Sequence, residues 1–242
     1  AYDMAMSDAI YGKEESGRYV SEGRLLKMLE REFSILLSRL EGVRAPNTRY
    51  FAFANTVATR THAKSGYGVM GLRFQHKAGA PHNDVILYVR MLDNQVTLQQ
   101  EALGVIGVNL IYGSYFLLDN LDVFLQSLLD NLSVERMNVE MIKVIGPAFQ
   151  GCDPRLLNFG LIKRNFSPGV IFAEKGQVHR PGDILYNKNV MLLRGSFRPP
   201  TLLNLDMLEK GKASFMHDLP VTEHDHILVL CEISMHELLE RG

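Results

Sequence analysis

The chain has 242 residues, enough for one large domain or two small ones, and an apolar share of 46% that predicts a real hydrophobic core. Lys and Arg total 26 against 27 Asp and Glu, a net charge of -1 that argues against a dedicated nucleic-acid binder. No apolar run approaches the roughly 18 residues that span a bilayer, so no membrane partner is expected.

The first 18 residues are polar and contain glycine, which predicts a loop or a loosely docked arm. The chain opens on Ala1 with no secretory leader pattern, which predicts a trimmed chain or one piece of a longer protein. Over 21–40 the apolar positions Leu25, Leu26, Met28, Leu29, Phe33, Ile35, Leu36, Leu37 and Leu40 fall near a helical period. Charged residues fill the gaps, so this segment predicts an amphipathic helix, stopped by Gly42.

The period then changes. Segments 50–57, 68–75 and 84–90 read as strands, with Lys77-Ala78-Gly79-Ala80-Pro81 as the turn between the last two. Short links between neighbouring strands predict an antiparallel meander. Residues 97–112 read as an apolar helix with Gly104 and Gly107 spaced for close packing, and 119–132 as a second helix capped by Asp119 or Asn120.

Further on, 139–145, 169–173, 190–193 and 227–233 read as strands. Helices are expected at Asp153-Pro154, over 199–209 and over 235–240. Strands alternating with helices predict βαβ units on a parallel sheet. The expected fold class is therefore α/β: antiparallel or mixed N-terminal strands with helices, followed by βαβ units. The expected division is a 1–135 lobe and a 136–242 lobe, sharing one compact unit or apposed. Cys152 and Cys231 lie far apart in no C-x-x-C arrangement, which predicts buried, reduced and inert thiols in a cytoplasmic protein.

The segment richest in chemistry is Leu193-Arg194-Gly195-Ser196-Phe197-Arg198-Pro199-Pro200-Thr201-Leu202-Leu203-Asn204. A strand, a glycine turn and a helix start form the layout that holds an anion at a helix N-terminus. The segment resembles the opening motif of the nucleotidyltransferases that build NAD, G-[ST]-F-x-P-x-[HT]-x-G-H. In that family two histidines grip a triphosphate during an in-line displacement, with no covalent step. Thr201 and Asn204 stand at the two histidine positions here, and Leu203 replaces the glycine between them. Asn204 keeps a donor but carries no charge. The motif opens the chain in that family and lies late in this one, and the family's later I-S-S-T-x-[IV]-R segment is missing.

Three segments, 54–60, 100–113 and 194–208, resemble a family of bacterial proteins of unestablished function whose members are often labelled nicotinate-nucleotide adenylyltransferase. The resemblance covers most of the chain. It implies that this chain is the N-terminal portion of a longer protein.

Other polar clusters supply candidates. Arg60, His62, Arg73, His76 and His82 flank the strands, and Arg with His suits phosphate binding. If the meander is as drawn, Arg60, His62, His76 and His82 share one end of the sheet. Glu101 and Asn109 share a face of an apolar helix, either lining a site or closing a structural network. His224-x-His226 precedes the last strand with no third ligand apparent, so no metal site is expected.

Two functions stand at this point. One is a nucleotide or phosphate site built from Gly195, Ser196, Thr201 and Asn204 with Arg60 or Arg73, taking ATP or an NAD-type nucleotide with Mg, and possessing or lacking transferase activity. The other is a non-catalytic scaffold or assembly protein that binds a protein partner or another copy of itself. The missing histidines favour the second, and the retained turn favours the first.

Overall fold

In the computed structural model, residues 9–11, 22–60, 65–220, 222 and 226–240 are described. Residues 9–11 are helical, and the rest of the expected N-terminal arm lies outside the described residues. Two compact units divide the chain, Ala1–Val178 and His179–Gly242.

The first unit is built on an antiparallel sheet of four strands: β1 (Phe51–Ala58), β2 (Gly66–Gln75), β3 (His82–Met91) and β4 (Met137–Ile145), in that spatial order. The β2–β3 hairpin turns at Lys77–Ala80, where Ala80 N–H donates to the Lys77 carbonyl at 3.1 Å and Gly79 takes the left-handed φ of +70°. The register sets Ala52 opposite Arg73, Arg73 opposite Asp84, and Asp84 opposite Ile145.

Alternation along the strands creates two apolar faces. Val69, Ile86, Tyr88 and Met141 face helix α1 (Glu22–Leu40), which buries Leu25, Leu29 and Phe33 at helical spacing. Gly71 makes that approach close, since an added Cβ would lie 2.7 Å from Leu29 Cδ1. Met70, Leu72, Phe74, Leu87 and Val89 face the other way, into the main core. There they meet α2 (Val96–Phe116), α3 (Leu121–Ser127) and α4 (Pro154–Lys163). Cover on both faces explains why β2 and β3 are apolar almost throughout, and each fully buried Leu or Ile there contributes about 1.5–3 kcal/mol.

Asn120 caps α3, accepting from Asp122 N–H and Val123 N–H, and Asp153 caps α4 with Pro154 in its first turn. The expected break at 135/136 falls inside this unit. The strand expected to open a parallel sheet is β4, which pairs antiparallel with β3. The physical reason is that β4 completes the burial of β3, whose inner residues would otherwise face water.

A short ribbon of β5 (Ile171–Phe172) and β6 (Val178–His179) marks the division. The second unit contains α5 (Pro181–Ile184), β7 (Asn189–Arg194), α6 (Leu202–Asp218), β8 (Ile227–Glu232) and α7 (Met235–Glu240). β7 and β8 are parallel, Asn189 opposite Ile227 through Arg194 opposite Glu232. With α6 between them they form a βαβ unit, so the expected α/β class holds. Met191 lies against Gly211 of α6, where an added Cβ would be 2.6 Å from its Cε. Among the described residues of this unit none is fully buried. None of the helices among the described residues is long and apolar enough to cross a membrane.

Candidate functional site

Gly195 ends β7, and its N–H donates to the Glu232 carbonyl at 3.1 Å, one step beyond the β7–β8 ladder. The left-handed residue of the turn is Phe197, at φ 47°, not Gly195. At Gly195 an added Cβ would lie 3.2 Å from the Phe197 ring, a tight approach that the ring would have to yield to. Ser196 is half-buried beside it. Pro199 and Pro200 precede the helix instead of opening it, because Thr201 is the N-cap of α6.

Thr201 and Asn204 are partners of each other. Asn204 Oδ1 accepts from Thr201 N–H and from Thr201 Oγ1–H, each at 2.8 Å. Asn204 N–H donates back to Thr201 Oγ1 at 3.3 Å. This is a capping box with Asn in the place of Glu or Gln. The T-x-x-N spacing that matches the transferase motif also carries this plainer signal, legible in the sequence. Next to it Leu202 is 85% exposed and Leu203 65% exposed. The neighbouring Arg194 is paired with Glu232 across the two strands, at 2.9 Å.

Arg60 and Arg73 belong to the first unit. Arg73 makes a bidentate pair with Asp84, two bonds of 2.8 Å, with both side chains largely buried. Its fork is committed to the sheet. Arg60 is exposed, and its backbone N–H and carbonyl are both held by the Gln99 side chain.

The expected gathering of Arg60 with His76 and His82 does not form. Ala58 pairs with Tyr67 at one end of β2, whereas Gln75 pairs with His82 at the other. At roughly 3.3 Å per strand residue, the two ends lie about 25 Å apart. Antiparallel pairing causes this, since consecutive loops alternate between ends. His62 lies outside the described residues.

Glu101 and Asn109 have structural partners. Glu101 accepts from Arg136 at 3.3 Å, and Asn109 Nδ2 donates to the Leu128 and Asp130 carbonyls at 3.1 and 2.8 Å. Arg136 is held further into its charged form, chiefly by its hydrogen bond to Asp93. The network reading of Glu101 and Asn109 is the one that fits.

Cys152 is half-buried, and burial pushes its thiol up, with Asp153 adding to the effect. Cys231 is exposed on β8, against the expectation of two buried thiols, because its side chain falls on a solvent-facing position of the strand. His226 is exposed, and His224 lies outside the described residues. Among the described residues, no group of three His, Cys, Asp or Glu side chains could hold a metal ion.

Compared with protein families, with curated proteins and with solved structures, the chain matches none.

The surface that sequence reasoning missed is on α2. After Glu101 this helix carries no charge and sets apolar residues on every side, a pattern that normally means extensive burial. One stripe of it is nonetheless open: Val108 is 65% exposed, Tyr112 56% and Phe116 63%. Beside the stripe runs a groove of about 410 Å³ between α2 and β1, lined by Phe53, Asn55, Val57, Gly104 and Ile111 among others. Phe51, Tyr112, Tyr115 and Phe116 continue it as an aromatic cluster, Tyr112 and Phe116 having ring centroids 5.0 Å apart.

Proposed function

We propose that this chain is a non-catalytic scaffold or assembly protein, which keeps an α/β core and works by binding protein. The start of α6 carries the reading. Where the transferase motif would offer two cationic rings to a triphosphate, Thr201 and Asn204 bond to each other. The residues between them offer leucine side chains to solvent. Leu205 and Met207 extend that apolar exposure along the helix. Exposed large apolar side chains in groups characterise association surfaces.

A second reading is supported by the same turn. The capping box takes the amide of Asn204 and leaves those of Leu202 and Leu203 without an intrahelical partner. Such amides suit a phosphate, with Gly195, Ser196, Thr201 and Asn204 around it. A nucleotide such as ATP or NAD, with or without Mg, is the ligand this reading would take.

Thermal unfolding of the chain with ATP, NAD and NMN at millimolar concentration, with and without magnesium, separates the two. Binding to the folded state raises Tm by mass action. The scaffold reading expects no rise. A rise of several degrees that disappears in Asn204→Leu would overturn it in favour of the nucleotide site.

A further inference from the structure

We propose that two copies of this chain associate about a two-fold axis through the open stripe of α2, the helices running antiparallel and crossing at Val108. The inference rests on the reading of the chain as an assembly protein. It names the partner, and it uses a surface of the first unit instead of the start of α6.

Position along the helix gives the first argument. Gly104, Val108, Tyr112 and Phe116 follow at intervals of four, so they lie along one side of α2. All four are exposed. Between Ala102 and Leu118 the sequence contains no ionisable acid or base other than tyrosine. A charge close to the two-fold axis would meet its own copy, so a stripe uncharged around Val108 suits self-association.

Shape gives the second. In an antiparallel pair centred on Val108, position 104 of one copy faces position 112 of the other, each about 6 Å from the crossing. The Tyr112 ring of one copy then lies over Gly104 of its mate. Gly104 is open there, since an added Cβ meets nothing within 4 Å. The neighbouring Gly107 differs: it is buried, and an added Cβ would lie 3.2 Å from the Phe53 ring. A projecting ring and an open glycine, equidistant from the centre on the same helix, are self-complementary.

Size gives the third. The exposed parts of Val108, Tyr112, Phe116 and the adjacent Phe51 amount to roughly 500 Å², or about 1,000 Å² over two copies, the level that a specific interface should clear.

The surroundings agree. β1 forms one edge of the sheet and carries neither charge nor proline, the usual guards of an open edge. The opposite edge, β4, is closed within the chain: Val139 N–H donates to the Phe166 carbonyl at 2.8 Å, and Asn158 bonds both backbone groups of Ile142.

The test uses the full chain with Cys231→Ser, which removes the exposed native thiol. Sedimentation velocity across the micromolar range is expected to show a monomer–dimer equilibrium. Val108→Arg is expected to weaken it by about tenfold or more, as burial of an unpaired charge at an interface centre does. Circular dichroism and Tm should be unchanged, since Val108 is exposed. Under mild oxidation Val108→Cys is expected to give a covalent dimer, because the residue meets itself on the axis. Val43→Cys, 74% exposed beyond the end of α1, should stay monomeric. A monomer at every concentration, an open-ended polymer, a dimer unaffected by Val108→Arg, or equal cross-linking at 43 and 108 would each overturn the proposal. None of these outcomes touches the scaffold reading, which fails only on nucleotide binding.

Discussion

Asn158 hydrogen-bonds Ile142 twice: its Oδ1 accepts from the Ile142 N–H and its Nδ2 donates to the Ile142 carbonyl, each at 2.9 Å. Both residues are almost wholly buried. A side-chain amide from α4 thus does at this point of β4 what a fifth strand would do. A third bond, Nδ2 to the Pro154 carbonyl at 2.8 Å, fixes the amide within its own helix. Backbone groups buried beside a helix need such partners, and here the partner is one side chain.

Asn158→Leu should therefore destabilise the first unit more than its surface area suggests. It leaves the Ile142 N–H and carbonyl buried and unpaired, each costing about 1–3 kcal/mol. The expected outcome is a lower denaturant midpoint with an unchanged slope. An unchanged midpoint would mean that the β4 edge is satisfied in some other way.

Arg73 and Asp84 face each other across β2 and β3 with a bidentate bridge, exposed by only 12% and 3%. Arg73→Met leaves the Asp84 carboxylate buried without its cation, and a loss of about 3–5 kcal/mol is expected. Arg73→Met with Asp84→Leu together should recover most of that loss, since an apolar pair replaces a buried ion pair. Urea unfolding of the two variants compares them directly. Equal losses would contradict this account.

The capping box at Thr201 and Asn204 should matter locally. Thr201→Ala is expected to cost about 1 kcal/mol of helix stability. Because no described residue of the second unit is fully buried, that loss should appear as faster amide exchange in the first turns of α6. Exchange in β2 and β3 should not change. A uniform change across both units would show that they unfold together.

Tyr115 supplies a pH dependence. Its hydroxyl donates to the Tyr50 carbonyl at 3.3 Å, and burial raises its pKa above the ordinary tyrosine value, opposed by the Arg49 cation over its ring. The folded state therefore favours the neutral phenol. The associated stability is present in full below the unfolded value of about 10 and is lost as pH rises through the higher folded value. Alkaline denaturation should begin in that window and shift upward in Tyr115→Phe, as read by denaturant midpoints across the alkaline range.

Hydrophobic period determined much of this fold. The α1 helix, the three-strand meander, the caps at Asn120 and Asp153, and the alternation of β7, α6 and β8 follow from local spacing and local hydrogen bonding. The α/β class follows with them. The T-x-x-N cap was also legible, although the same letters resemble a transferase motif.

Tertiary structure decided the rest. Whether β4 joined the first sheet or began a second depended on which face of β3 still needed cover, a contact that no local pattern encodes. Antiparallel pairing separated Arg60 from His76, and register placed Asp84 opposite Arg73. After Glu101 α2 is uncharged, with apolar residues on every side, so its sequence marks it as buried. Only the packed sheet and helices determine that the Val108, Tyr112 and Phe116 side of it stays exposed.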